Sequence, residues 1–383
     1  MKWELKSLDE IGFIGRGKSR HRPRNAEHLY GGEYPFVQTG DVKAANFKIT
    51  EFSQTYNEAG LAQSKLWKEG TLCITIAANI ADTAILGIDA CFPDSVIGFV
   101  PYEDKSDVRF VKYFFDIFQA RMKSIAVGAA QDNLSLEKLL TFKIPTPSLP
   151  TQRKIASILS AYDDLIENNL KRIKLLEEKA QLHYIQYKPI EKIALQDIAD
   201  YLGRGVTPKY EEGSGFYAIN QKANKGSLLE YSQFKSLDSK LEVPDDKFAK
   251  WGDLLINSLG EGTLGRVHFY TDKSDLYAVD QHMSIFRTQK QHYTFYLYQF
   301  LSSNYGQGLL DSLKKGGTNM TMLNISDLRQ LIVSFPSEKE LIELWNVCKP
   351  LFQLKQTLIT QNTKLREARD ILLPKLMNGQ IEV

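Results

Sequence analysis

Two segments of the sequence contain residue types and spacings that enzymes use. Residues 12–19, GFIGRGKS, match the phosphate-loop pattern GxxxxGK[ST]. Such a loop binds nucleotide phosphates when it connects a buried strand to the first turn of a helix. Here Ser19 is followed by Arg-His-Arg-Pro-Arg, which is a poor first helical turn, and the related segment 203–208 lacks both the lysine and the serine. We therefore expect no nucleotide binding.

The second segment contains Asp94, Glu103 and Lys105, the residue types of a metal-dependent nuclease. Two carboxylates and a lysine can hold Mg²⁺ and polarise a phosphate. Residues 101–107 are also typical of a polar surface turn, and we prefer that interpretation. The six histidines form no HExxH motif and no Cys/His cluster, so no metal site is predicted. The chain has no NPPY motif and no glycine-rich adenosylmethionine loop, and we expect no catalytic residues.

Basic residues near the N-terminus alternate with other residues in a way that suits binding to a nucleic acid. In an extended chain every second side chain projects from the same face, and Pro23 favours an extended chain here. A row of cations on one face can follow a phosphate backbone and release its counterions. We call this row the basic comb; it consists of Arg16, Lys18, Arg20, Arg22 and Arg24.

Other polar residues are candidates for contacts with bases or with the DNA backbone. Amides pair well with adenine, Arg or Lys with guanine, and acids with cytosine. In the first half the candidates are Gln38, Thr39, Asp41, Gln131 and Asn133. In the second half they are Arg204, Thr207, Lys209, Asn220, Gln221, Lys222, Asn224, Lys225, Lys314, Lys315 and Asn319.

The composition predicts a folded soluble protein of more than one domain. The chain has 383 residues, of which 43% are hydrophobic and 25% are charged. No apolar run approaches the roughly 20 residues needed to cross a bilayer. Three cysteines without a CxxC pair argue against a disulfide framework, so we expect a cytoplasmic protein. The net charge of +2 places any DNA affinity in local clusters or in partner chains.

The sequence contains an internal repeat that spans about half of the chain. This repeat shows which elements must position the candidate residues. Leu8 to Ile11, followed by Gly15-Arg16-Gly17, recurs as Leu195 to Ile198, followed by Gly203-Arg204-Gly205. Residues 68–74 recur in the same order as residues 250–256. Short apolar-alternating runs with one or two helices predict an α+β fold with mainly antiparallel sheets in each copy.

Each copy ends in a long heptad-patterned segment, which predicts a pair of coiled-coil helices. The first seam is Ile155, Leu159, Tyr162, Ile166, Asn169, Ile173 and Leu176; the second is Val347, Leu351, Leu354, Leu358, Gln361, Leu365 and Leu372. Asn169 and Gln361 occupy the same place in the two seams, and a buried polar seam residue fixes register and partner. We expect the two helices to pair antiparallel, which makes the molecule pseudo-twofold symmetric.

Prolines, together with a capping box formed by Ser337 and Glu340, mark the predicted boundaries. We predict a first globular domain at 1–148, a first spacer helix at 149–188, a second globular domain at 189–336 and a second spacer helix at 337–383.

This pattern resembles the DNA specificity subunit of type I restriction-modification systems. Beside the two-head, two-helix order, the resemblance rests on residues 203–208, residues 251–255 and the Pro-x-Leu-Pro-x-Gln segment at 147–152. It implies that each head reads half of a split double-stranded DNA site. It also implies that two methyltransferase (modification) subunits and restriction subunits assemble on the chain, and that S-adenosylmethionine, ATP and Mg belong to those partners.

Two other hypotheses stay open at this point. A duplicated coiled-coil scaffold without a DNA role is the main alternative, although a scaffold has no reason to keep the basic comb on one face. A stand-alone nuclease that uses Asp94, Glu103 and Lys105 is the third.

Overall fold

A computed structural model describes residues 3–45, 47–76, 81–125, 135–260, 262–274, 276–315 and 321–383. The chain forms two compact units, one of residues 1–169 and 361–383, and the other of residues 170–360. Each unit therefore contains one globular half together with part of each long helix. The predicted boundaries 1–148, 149–188, 189–336 and 337–383 follow chain order and stay a prediction.

The first half alternates short strands with helices and ends in a long helix. Its strands are β1 Glu4–Lys6, β2 Gly12–Arg16, β3 Tyr30–Phe36, β4 Lys48–Ile49, β5 Gln54–Tyr56, β6 Leu66–Trp67, β7 Leu72–Thr75, β8 Thr83–Leu86, β9 Ala90–Cys91, β10 Val96–Pro101 and β11 Ile144–Thr146. Its helices are α1 Leu8–Ile11, α2 Thr39–Ala44, α3 Glu58–Ala62, α4 Val108–Ile125, α5 Leu136–Thr141 and α6 Leu149–Tyr184.

The second half follows the same plan. Its strands are β12 Glu191–Ala194, β13 Tyr201–Arg204, β14 Tyr217–Ile219, β15 Lys235–Ser236, β16 Leu254–Asn257, β17 Val267–Phe269, β18 Tyr277–Val279, β19 Met283–Arg287, β20 Lys314–Lys315, β21 Met322–Leu323 and β22 Ile332–Phe335. Its helices are α7 Leu195–Ile198, α8 Gln291–Ser302, α9 Asn304–Ser312, α10 Ile325–Gln330 and α11 Glu338–Met377.

The main sheets of the two halves have matching strand orders. The first is β2-β10-β7-β8-β4 and the second is β13-β19-β16-β17. The repeated segments around Leu72 and Leu254 form the central strands β7 and β16, which are buried along their whole length because the side chains on both faces are covered. Apart from the β4–β8 pair, every pairing in these two sheets is antiparallel. The predicted α+β fold with mainly antiparallel sheets is confirmed.

A small two-stranded sheet connects the start of each half to its end. Strand β1 pairs with β11 in the first half, and β12 pairs with β22 in the second. Each long helix follows directly, so the chain leaves each half beside the place where it entered. At the second exit Ser337 and Glu340 form the predicted capping box, with the Ser337 hydroxyl donating to the Glu340 carboxylate at 2.6 Å.

The helix segments of the first unit pair antiparallel. Asp163 of α6 accepts a hydrogen bond from Arg369 of α11, and six residues further along α6 the Asn169 amide donates to Asn362 Oδ1 at 2.9 Å. The α6 seam residues Ile155, Leu159, Ile166, Asn169 and Ile173 are buried, while Tyr162 and Leu176 are half-buried.

The predicted seam of α11 is wrong by one residue. Val347 and Leu354 are 45% and 40% exposed, and Gln361 is exposed. Leu358 is buried, while Leu351, Leu365 and Leu372 are half-buried. Between residues 347 and 376 the buried positions are Cys348, Phe352, Lys355, Leu358, Asn362, Leu373 and Leu376. The prediction followed the apolar residues, whereas the interface buries Lys355 and Asn362 because each has a polar partner.

In the second unit Lys355 is 1% exposed and is held by two acceptors. Its ammonium donates to Glu177 Oε1 of α6 at 2.6 Å and to the Ser227 carbonyl at 2.5 Å. Burial lowers the pKa of Lys355, while the Glu177 carboxylate acts in the opposite direction. Over the parts of the chain described above, no helix has the length and apolarity of a membrane span.

Candidate nucleic-acid interface

The Gly-Arg-Gly repeats form matching corners at the ends of two edge strands. We call residues 15–17 the first corner and residues 203–205 the second corner. Arg16 pairs with Ile97 of β10, and Arg204 pairs with Ser284 of β19. A Cβ atom on Gly17 would lie 2.3 Å from the Phe92 carbonyl oxygen, and one on Gly205 would lie 2.0 Å from the Val279 carbonyl oxygen. Both corners thus bring the strand end against a neighbouring backbone.

Beyond the first corner, buried and exposed residues alternate through residue 20, as they do in an extended chain, and neighbouring elements hold the buried side. The backbone N–H groups of Gly17 and Lys18 donate to the carbonyls of Val96 and Phe92. Ser64 donates to the Lys18 carbonyl at 2.7 Å. Gly17 and Ser19 are buried, and the residues that alternate with them are exposed. We call these exposed residues the three-cation segment: Arg16, Lys18 and Arg20.

The remaining two cations of the predicted comb lie in a bend and are neutralised, so the prediction of five cations on one extended face is wrong. Arg24 donates to both oxygens of Asp94 at 2.7 and 3.0 Å, and Arg22 lies 3.9 Å from the same carboxylate. Arg22 also donates to the carbonyl of Ser19 at 2.6 Å, which turns the chain back on itself. Within the described ranges, no ion pair involves a member of the three-cation segment.

One cation near the three-cation segment was missed by sequence reasoning. The Lys65 ammonium lies 3.6 Å from the centroid of the Trp67 ring and 4.6 Å from that of Phe13. Burial and then the charge of Lys18 lower the pKa of Lys65. Lys18 and Lys65 therefore lie close enough for their charges to repel each other. In the sequence, the apolar residue Phe13 just before the basic comb could have indicated this contact. The structure shows that Phe13 is exposed.

The same surface bears on both enzymatic interpretations. No helix directly follows Ser19, since residues 20–26 form none, so residues 12–19 lack the strand-loop-helix arrangement of a phosphate loop. Asp94 and Glu103 lie at opposite ends of β10, a six-residue strand. Such a strand is about 20 Å long, too far for two carboxylates to share one metal ion. Among the described residues, no group of three His, Cys, Asp or Glu side chains could hold a metal.

The other candidates of the first half lie at the start of α2. Gln38 caps that helix, and its backbone N–H donates to Asp41 at 2.7 Å. Its side chain donates to Gln54, and Ser53 donates to Asp41. Asp41 therefore has a structural role, while Gln38 and Thr39 are half-buried. Gln131 and Asn133 lie outside the described residues.

At the second corner the arginine points into the protein. Arg204 donates to the Leu323 carbonyl at 2.6 Å and to the Gln281 carbonyl at 3.4 Å, and burial lowers its pKa. Thr207 donates to the Gln281 side chain at 2.8 Å. Lys209 is exposed and pairs with Asp238 at 3.0 Å. Sequence reasoning missed the exposed Tyr210, which donates to Asp280.

Two asparagines predicted to face DNA are structural, which corrects that prediction. Asn224 is fully buried, and its amide donates to Asn257 at 3.0 Å. Asn220 is buried and donates to the Gln233 carbonyl at 2.6 Å. Short amides in turns satisfy backbone groups, and the sequence pattern does not distinguish that role from base contact.

The remaining candidates of the second half are more accessible. Lys222 is exposed, Gln221 is half-buried, and Lys225 pairs with Glu230 at 2.9 Å. Lys314 pairs with Asp311, and Lys315 pairs with Asp327 at 2.8 Å. Asn319 lies outside the described residues.

Comparison with known proteins finds similarity to one family. Residues 1–178 match the model of the type I restriction modification DNA specificity domain. The MjaIX specificity subunit of Methanocaldococcus jannaschii is 26% identical, over 100% of this chain and 94% of that protein. The HindI specificity subunit of Haemophilus influenzae is 22% identical, over 97% of this chain and 98% of that protein.

A solved structure shares the fold. The S subunit of a type I restriction-modification system from M. genitalium aligns with a TM-score of 0.58 at 16% identity, over 98% of this chain and 96% of that one. The chain is therefore similar, over nearly its whole length, to type I restriction-modification specificity subunits.

Proposed function

We propose that each half of this chain reads one part of a split double-stranded DNA site, and that the three-cation segment binds the phosphate backbone at the first part. The observation that carries this proposal is the exposure of Arg16, Lys18 and Arg20 along an extended chain whose inner side is held by hydrogen bonds. Phosphate contacts position a protein on DNA, while polar side chains nearby distinguish the bases.

The chain would act through partners and carry no catalytic group of its own. Two methyltransferase (modification) subunits and restriction subunits would assemble on it in the cytoplasm. S-adenosylmethionine, ATP and Mg would be bound by those partners. The separation of Asp94 from Glu103 supports this division of labour because the nuclease-like residues of this chain do not form a site.

Salt-dependent DNA binding tests the proposal. Arg16→Gln, Lys18→Gln and Arg20→Gln together should flatten the dependence of log K on log salt by about 2.7, because each phosphate that is no longer neutralised accounts for about 0.9. The matched control is Arg22→Gln with Arg24→Gln, which removes cations that Asp94 already neutralises. Binding would be measured by fluorescence anisotropy of the chain co-purified with its methyltransferase subunits.

An unchanged salt slope in the triple variant would contradict the proposal. Methylation provides the second measurement: the chain alone should neither methylate nor cleave DNA, and adding the methyltransferase subunits should produce site-specific adenine methylation. The triple variant should weaken methylation at all sites without changing the recognised sequence, because phosphate contacts carry no sequence information.

A further inference from the structure

The two ion pairs between the long helices are sorted by charge: in each pair one residue is buried (Asp163 or Lys355) and the other is half-buried (Arg369 or Glu177). In the first unit α6 contributes Asp163 and α11 contributes Arg369; in the second unit α6 contributes Glu177 and α11 contributes Lys355. In these two ion pairs both residues of α6 are acidic and both residues of α11 are basic. The spacing from 163 to 177, and from 355 to 369, is two heptads, so the members of each pair lie in the same seam.

A buried amide lies near the middle of each charged pair. Asn362 is at the midpoint of Lys355 and Arg369, and Asn169 is one residue from the midpoint of Asp163 and Glu177. The two amides bond to each other at 2.9 Å, and Asn362 also donates to the Ile166 carbonyl at 3.4 Å. A buried seam amide favours the register in which it faces another amide, because an apolar partner would leave it unsatisfied.

The sorted charges affect pairing between two copies of the chain. An antiparallel pair of identical helices is twofold symmetric about its centre. If α6 paired with a second α6 so that the amides met, Asp163 of each copy would face Glu177 of the other. If α11 paired with a second α11, Lys355 would face Arg369. Both self-pairs would bring like charges together, whereas each ion pair between α6 and α11 joins opposite charges.

We propose that these two ion pairs and the amide pair select the partner of each helix, so that α6 binds α11 of its own chain and rejects α6 of a second copy. Two apolar heptad stripes alone would not make this distinction, because either helix offers an apolar face. This selection concerns helix pairing and does not depend on the proposed DNA function.

Exchange of charges within one ion pair tests the proposal. Asp163→Arg with Arg369→Asp keeps an opposite-charge pair inside the chain. It also gives each helix one acid and one base, so a self-pair would bring the arginine introduced at position 163 against Glu177. The control adds Glu177→Lys and Lys355→Glu, which again makes each helix uniform in charge. Both variants keep an opposite-charge pair at each of the two contacts between α6 and α11, both lose the Arg369–Asp370 pair, and they differ in whether self-pairing is penalised.

A disulfide at the centre of α6 reports self-pairing directly. Asn169→Cys in the full chain, in both variants and in the parent, places two thiols near each other only if α6 meets a second α6. The native cysteines Cys73, Cys91 and Cys348 are buried. Each protein would be refolded at high concentration, oxidised, and analysed by non-reducing electrophoresis and light scattering.

The variant with one exchanged pair should form at least about tenfold more crosslinked dimer than the parent or the control, since a like-charge repulsion has been removed. Equal amounts of dimer in the two variants would overturn the proposal. If the variant at positions 163 and 369 loses its helical circular dichroism, Glu177→Lys with Lys355→Glu also mixes the charges of each helix. The same increase is expected, and its absence would be equally decisive.

Discussion

The two corners have the same sequence, Gly-Arg-Gly, and the same strand pairing, yet their arginines behave differently. Arg16 is exposed at the start of the three-cation segment, whereas Arg204 is half-buried and donates to the Leu323 and Gln281 carbonyls. The difference arises from what lies opposite each corner. The second half places the carbonyl groups of a strand end and a loop within reach of its arginine. A repeated motif therefore keeps the backbone path, while neighbouring residues decide the role of the side chain.

The largest expected loss of stability comes from replacing the second glycine, which both corners share. Gly17→Ala and Gly205→Ala should each lower the free energy of unfolding by about 3 kcal/mol, because the new methyl group would overlap backbone oxygens that cannot easily move. Gly40→Ala and Gly308→Ala are the controls, since a Cβ atom at either position has no neighbour within 4 Å. Urea denaturation would measure all four. A mild effect at one corner only would show that the two backbones are not equivalent.

The next largest expected loss of stability distinguishes the two arginines of the corners. Arg204→Gln should cost about 2 kcal/mol, because two backbone carbonyls lose a charged donor. Arg16→Gln should stay within about 0.5 kcal/mol, as expected for an exposed side chain. DNA binding should show the reverse order: Arg16→Gln should lower the salt slope by about 0.9 and Arg204→Gln should leave it unchanged. Equal slopes for both variants would remove the distinction between the corners.

The internal repeat and the heptad spacing predicted most of the fold. The errors came from polar residues that are buried because they have polar partners. The repeat and the heptads depend on spacing, which is local information, and these led to the two matching halves and the two long helices. The phase of α11 was wrong because Lys355 and Asn362 are buried, and their partners on α6 are almost 200 residues away in sequence.

The prediction of the candidate site was wrong in places for a similar reason, because neighbours in three dimensions decide what each polar side chain does. The basic comb is extended only as far as Arg20, because Arg22 bonds back to Ser19 and Arg24 pairs with Asp94. Asn220 and Asn224 have the residue type suited to base contact, but their amides hold turns. Such choices depend on three-dimensional neighbours that neither composition nor spacing reveals.

Acid should destabilise the second half more than the first. His268 is buried next to Lys355, and burial with that charge lowers its pKa from 6.5 to about 3. A neutral buried histidine stabilises the fold above pH 6.5, and the stabilisation is lost as the pH falls from 6.5 towards 3, because the unfolded chain binds the proton more tightly. The loss between pH 7 and pH 5 should be about 2 kcal/mol.

Hydrogen exchange would locate this loss. Peptides from residues 254–301 should lose protection at pH 5, after correction for the intrinsic exchange rate, while peptides of the first half should not. His268→Gln should remove most of this pH dependence, and His28→Gln, an exposed residue of the first half, should not. Uniform loss of protection across both halves would show that His268 is not the cause.

The smallest expected change in stability comes from Asp94→Asn, and it bears on the difference between the free and the neutralised cations of the first half. Asp94 forms an exposed ion pair with Arg24 and lies near Arg22, so its loss should change the free energy of unfolding by about 0.5 kcal/mol or less. The substitution releases both arginines, which could then approach DNA phosphates beside the three-cation segment. The salt slope of binding should become steeper, by up to about 1.8 if two more phosphates are neutralised. A nuclease that used Asp94 would instead lose metal-dependent cleavage. Measuring anisotropy and plasmid nicking on the same preparation distinguishes the two, and a flatter salt slope would show that Asp94 orients the arginines towards DNA rather than neutralising them.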